Sequence, residues 1–145
     1  MLTFRAIAAA LLVVSSAAFA APAEYIFVDD SSRDLIDTAG AVALWKAQVD
    51  GSLRMRLQKL YPVSKWGFVS QIQGGFTREG ACVVTARAVM VPRVLGSRLV
   101  FKPHRSATAF GTQPSATRDQ CRELAAAKLK DAILGMRSAL IADQN

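Results

Sequence analysis

The spacing of hydrophobic positions changes repeatedly along this chain, and each change marks an element. Glu24-Tyr25-Ile26-Phe27-Val28 is a short aromatic and β-branched run that reads as a strand or a packed arm. Asp29-Asp30-Ser31-Ser32 interrupts it, and these side-chain oxygens suit the first turn of a helix. From about Arg33 to Leu60 the period is helical. Leu35, Val42, Trp45, Val49, Leu53, Leu57 and Leu60 recur at spacings of three, four and seven, which puts them on one stripe. Lys46, Asp50, Arg54, Arg56 and Lys59 fall on the opposite, solvated face. Gly40 and Gly51 each weaken the helix by about 1 kcal/mol relative to Ala, and Pro62 ends it.

The period then shortens to two. Lys65 to Gln73 carries aromatic and branched residues in a strand-like run, and Gly74-Gly75 and Thr77-Arg78-Glu79-Gly80 are turn signals. Ala81 to Val91 is the strongest strand. One of its faces reads Cys82, Val84, Ala86, Ala88, Met90; the other reads Val83, Thr85, Arg87, Val89, Val91, so Thr85 and Arg87 mark the wetter side. Pro92 to Ser97 reads as a loop, Arg98 to Lys102 as a third strand, and Ser106 to Gly111 as an extension of the sheet.

Thr117-Arg118-Asp119-Gln120 has the form of a capping box. Behind it Cys121, Leu124, Ala125, Leu129, Ala132, Ile133, Met136 and Leu140 form one apolar stripe. The expected architecture is α+β: a helix, about three antiparallel strands and a C-terminal helix, as a two-layer sandwich with both helices on one face.

The N-terminal region changes this picture only by subtraction. Arg5 is followed by a charge-free apolar run and then by Ala18-Phe19-Ala20, the pattern of a cleavable secretory signal peptide. Cleavage is expected between Ala20 and Ala21, with a second small-x-small match at Ala21-Pro22-Ala23. The apolar stretch Ala6 to Val14 is shorter than the about 20 residues that span a bilayer, and no later run in residues 21–145 is long enough. The expected product is one small domain, residues 21–145, in the periplasm or outside the cell. Loss of Arg5 lowers the net charge from +7 by one. A basic exported domain meets acidic proteins or phosphate-rich envelope surfaces by long-range attraction; nucleic acid is a poor partner in that compartment.

Cys82 and Cys121 are the only cysteines. In an oxidising compartment an even number points to a bridge, and two cysteines allow one connectivity. Such a bridge would staple the last helix to the sheet.

Catalytic chemistry finds little support in the sequence. His104 is the only histidine, and the flanking Lys102 and Arg105 make it a poor base. One His and two bridged Cys do not supply a nitrogen/sulfur metal set, and Glu24, Glu79 and Glu123 show no opposed pair. Gly74-Gly75 lacks the Lys-Ser/Thr of a phosphate loop. No cofactor is implied. What remains is a binding hint. Arg87, Arg93, Arg98, Lys102 and Arg105 cluster in the strand region and form a candidate basic patch on the open sheet face. Trp66, Phe68, Phe76 and Phe101 are core residues or, alternatively, an aromatic platform.

The helix Leu44 to Leu60, the Cys-headed strand Cys82-Val83-Val84-Thr85-Ala86-Arg87 and the Cys-headed helix Cys121-Arg122-Glu123-Leu124-Ala125-Ala126-Ala127-Lys128-Leu129 together resemble the periplasmic C-terminal domain of the TolA/TonB envelope proteins. Two parts of that family's pattern are missing from this sequence: a strand after the last helix and a long membrane-anchored stalk. The resemblance implies an envelope adaptor that contacts other proteins through its sheet or helices, and it transfers no functional residue. The functional expectation is a non-enzymatic interaction module for a protein or an anionic envelope component; the alternatives are a small enzyme whose site the sequence does not show and an accessory structural protein.

Overall fold

A computed structural model of the chain describes residues 23–94 and 98–142; the expected leader and the cleavage expected between Ala20 and Ala21 lie outside them. The elements follow in the order β1 (Ile26–Asp29), α1 (Thr38–Gln48), α2 (Gly51–Leu60), β2 (Trp66–Phe76), β3 (Cys82–Val94), β4 (Arg98–Leu99), β5 (Arg105–Gln113) and α3 (Arg118–Ala142). β3 is the axis of the sheet. One of its edges takes β2 and the other takes β5, both antiparallel, while β1 adds to the outer side of β2 in parallel. Helices α1 and α3 pack against each other, α3 over β3 and β5 and α1 over β1. The α+β two-layer expectation holds, with five strands among the described residues rather than about three.

Several boundaries differ from the sequence expectation: Gly74 and Gly75, read as a turn, lie within β2 opposite Val84 and Val83, and β3 runs on through Pro92 to Val94. The long first helix is two helices. Asp37 opens α1 by accepting from the Gly40 amide at 2.6 Å, and Asp50 opens α2 by accepting from the Gly51 amide at 2.6 Å. Between them Gly51 takes φ +63°, a left-handed conformation that costs glycine little. Asp30 and Ser31 do not start a helix. They prolong the β1 pairing instead: the Asp30 amide donates to the Ser70 carbonyl, and Ser31 Oγ accepts from the Ile72 amide. The strand expected over Arg98 to Lys102 is a two-residue ladder with Arg93 and Val94, and the long third antiparallel strand is β5.

The alternation read from β3 is realised. Cys82, Val84, Ala86, Ala88 and Met90 are fully buried beneath the helices. On top of them α3 lays Cys121, Ala125, Leu129, Ala132, Ile133, Met136 and Leu140, all buried. The capping box that starts α3 is formed in both directions, Gln120 N to Thr117 Oγ1 at 3.2 Å and Thr117 N to Gln120 Oε1 at 2.8 Å. Cys82 and Cys121 are bridged, with their Cα atoms 5.6 Å apart, so the head of α3 is tied to the start of the central strand.

An aromatic cluster closes the other end of this layer. Trp45 stacks within 4.8 Å of Phe68 and 5.8 Å of Phe27, and Tyr25 meets Phe68 edge-on at 5.1 Å. The polar tips of the cluster are satisfied. Trp45 Nε1 donates to Ser70 Oγ at 2.9 Å, and the Tyr25 hydroxyl donates to the Tyr61 carbonyl at 2.6 Å. Of the aromatics singled out in the sequence, Phe68 is core, Trp66 is half-buried against Tyr61 and His104, and Phe76 and Phe101 are exposed.

Candidate binding face

Helices cover one face of the sheet, and the opposite face is largely open. Register sets what stands on it. Across β2, β3 and β5 the outward rows are Val69–Val89–Ser106, Gln71–Arg87–Thr108, Gln73–Thr85–Phe110 and Gly75–Val83–Thr112. The first row is roofed. Leu99, carried by β4, folds back over Gly67 and buries Val69, Val89 and Val91 beneath it. Gly67 is required by that approach, because a Cβ there would meet a Leu99 methyl and the Ile26 carbonyl. Sequence reading missed this second small core. The signal was Gly67 inside a strand, opposite a Val-rich strand end.

Beyond the roof the face is a groove of about 300 Å³ lined by Gln71, Gln73, Thr85, Arg87 and Phe101. Arg87 is part of its lining. Its guanidinium reaches Ser106 Oγ at 3.4 Å and has no carboxylate within ion-pair distance among the described residues. A half-buried guanidinium with that single weak partner keeps most of its donors available, in a fork that matches a carboxylate or phosphate. Gln71 donates to Asp30 Oδ2 at 3.1 Å, so one acid stands at the β1 rim of the groove. Phe101 and Phe110 are 55% and 63% exposed and give the face apolar flanks.

The five cations of the sequence patch do not act as one surface. Arg87 lies in the groove. Arg93 donates through Nη1 to the Val63 carbonyl at 2.9 Å and ties the loop before β2 to the end of β3. Arg98 and Lys102 are exposed on the segment that carries the roof. Arg105 shares the register parity of Ala107 and Ala109, which belongs to the helix side. The structure thus places Arg87 in the groove and Arg98 and Lys102 on the adjoining segment, and separates Arg93 and Arg105 from them.

A second concavity, about 210 Å³, lies between Glu24, Tyr25, Phe27, Lys46, Val49, Asp50 and Arg54. Its charges are mutually engaged. Glu24 is 3.7 Å from Lys46 and 3.8 Å from Arg54, and Arg54 and Gln58 both donate to the Ala23 carbonyl. This is the seat of the N-terminal segment on α1 and α2. Burial there pushes the Tyr25 phenol up to about 12, with the Arg54 charge opposing the shift. Among the described residues no helix is long and apolar enough to cross a membrane, and no three His, Cys, Asp or Glu side chains gather as a metal site.

No protein-family model and no curated protein matches this chain. Among solved structures, one named a "putative lipoprotein" from Caulobacter crescentus CB15 is similar over 82% of this chain and 93% of that one, at 14% identity and a TM-score of 0.35. The functional reading therefore rests on the geometry of this chain.

Proposed function

We propose that this chain is an exported, non-enzymatic binding module that takes an anionic protein or envelope component on its open sheet face. The observation that carries the reading is the groove around Arg87, where a guanidinium without a carboxylate partner lies between two amides, a hydroxyl and an exposed aromatic ring. Three features support it. The leader pattern and the Cys82–Cys121 bridge suit an oxidising compartment. Positive net charge favours encounter with anionic partners. The likeness to TolA/TonB C-terminal domains suggests an adaptor of the same kind.

The test is photocrosslinking in cells, with a photoreactive amino acid in place of Thr85 in the groove or of Lys130 on the far side of α3. Adducts from Thr85 alone, lost in an Arg87→Glu, Lys102→Glu double variant whose melting temperature is unchanged, are the expected result. Equal adducts from both positions, or adducts that survive the charge reversal, would dispose of the proposal.

A further inference from the structure

The two edges of the sheet are built differently. β1 is four residues long, runs parallel to its neighbour and ends in Asp29-Asp30, which is how sheets blunt an edge. β5 has none of these protections. It is nine residues long, pairs among the described residues with β3 alone, and from Ser106 to Gln113 holds no charge and no proline.

Hydrogen-bond parity shows which of its backbone groups are unspent. Arg93 N donates to the Lys65 carbonyl and Thr77 N to the Ala81 carbonyl, so the odd-numbered residues of β3 point at β2. Its even-numbered residues therefore point at β5, and the register pairs them with Arg105, Ala107, Ala109, Gly111 and Gln113. The amides and carbonyls of Ser106, Thr108, Phe110 and Thr112 are left pointing outward, on residues whose side chains are exposed. Pro114, which has no amide, ends the series.

We infer that this edge pairs with the same edge of a second copy of the chain, antiparallel about a two-fold axis at Ala109. That register uses every outward group: Ser106 pairs with Thr112 of the second copy and Thr108 with Phe110, each exchanging two backbone bonds. It sets Arg105 opposite Gln113, Ala107 opposite Gly111 and Ala109 opposite itself, so no like charges meet. Thr opposite Phe is a favourable cross-strand pair. In the helix layer α3 lies over β5 with Lys128 by Gly111 and Gly135 by Ala107, and its Lys128 and Asp131 are paired with each other within one chain at 2.7 Å. Such pairing is isologous and closed, which stops at a dimer. The two sheets become one, and two Arg87 grooves lie on one continuous face.

Sedimentation velocity of the mature chain over a range of concentrations reads the association directly. Thr108→Lys with Phe110→Lys places like charges opposite each other twice across the axis, and at least about tenfold weaker dimerisation is expected. Thr108→Glu with Phe110→Lys places opposite charges at the same two positions and is expected to keep the dimer. Circular dichroism melts establish that both variants fold. A chain that stays monomeric at the highest concentration overturns the inference, and so does a dimer that the Lys–Lys variant leaves intact or the Glu–Lys variant dissolves equally. None of these readouts involves the ligand of the open face, so this inference stands or falls apart from the proposed function.

Discussion

Reduction of the Cys82–Cys121 bridge removes a cross-link with a sequence separation of 39 residues. In the chain-entropy model, closing a loop of that size restricts the unfolded chain by about 13 cal/mol/K, or about 4 kcal/mol at room temperature. A domain of this size has a net stability of about 5–15 kcal/mol, so the bridge supplies a large share. Native contacts oppose full loss of order, since Cys82 and Cys121 are buried and α3 keeps its apolar stripe against β3. The reduced chain is therefore expected to remain folded at room temperature and to melt roughly 10–20 °C lower. Urea unfolding of oxidised and reduced protein, followed by far-ultraviolet circular dichroism, measures the difference. The reduced form is also expected to give a steeper transition, because its unfolded chain exposes more surface. A stability difference below about 1 kcal/mol, with unchanged slope, would refute the reasoning. It would mean that the unfolded chain already holds the two segments together, or that helix docking alone fixes α3.

Two further perturbations probe the aromatic end of the core. Ser70→Ala leaves the buried Trp45 indole N–H without an acceptor and is expected to cost about 1–3 kcal/mol in urea unfolding followed by tryptophan fluorescence; a cost below about 0.5 kcal/mol would mean the indole finds another acceptor. Burial raises the Tyr25 phenol to about 12, so the fold favours its neutral form. That contribution is present in full below pH 10 and is lost as pH rises from 10 toward 12. Tyr25→Phe is expected to be less stable at neutral pH, where its hydrogen bond to Tyr61 is missing, and to lose less stability between pH 9 and 11. Parallel slopes for the two proteins would show that the phenol is not held neutral.

What could be read in the sequence was what neighbouring residues decide together. β3 showed its faces because both are specified by alternation over eleven residues, and α3 showed its stripe and its cap for the same reason. β5 was harder to read because its composition answers to the helix above it. Gly111 lies under Leu124 and Lys128, and Ala107 under Gly135, so close packing sets small residues where a strand usually carries branched ones. The break between α1 and α2 rests on one backbone conformation at Gly51, which in sequence is only a weak helix residue. Parallel pairing of β1 with β2 joins segments about forty residues apart and leaves no local trace. Of the basic patch, positions are legible in sequence and faces are not. Arginine positions were visible, but the strand register and the shift at His104 decide which face each one reaches.

The sheet divides its work by face. On the helix side of β3 each position from Cys82 to Met90 is packed: replacing Val84 or Met90 removes contacts from a core that cannot fully close, at a cost of about 1–5 kcal/mol. One residue along the same strand, Thr85 and Arg87 stand in the groove, where substitutions of exposed side chains usually change stability by less than about 0.5 kcal/mol. Leu99 draws the border, since under it Val89 and Val91 belong to the packed class although they lie on the outer face. Stability therefore places few demands on Gln71, Gln73, Thr85, Arg87 and Thr108, and the residue types there are free to answer to a ligand. Pairing through β5 would set two such grooves side by side, so that a partner with repeated anionic groups engages both and gains by effective concentration without any new contact. Arg87→Glu separates the two ideas, because it reverses the groove and leaves the outward backbone of β5 untouched: sedimentation should not change while binding is lost.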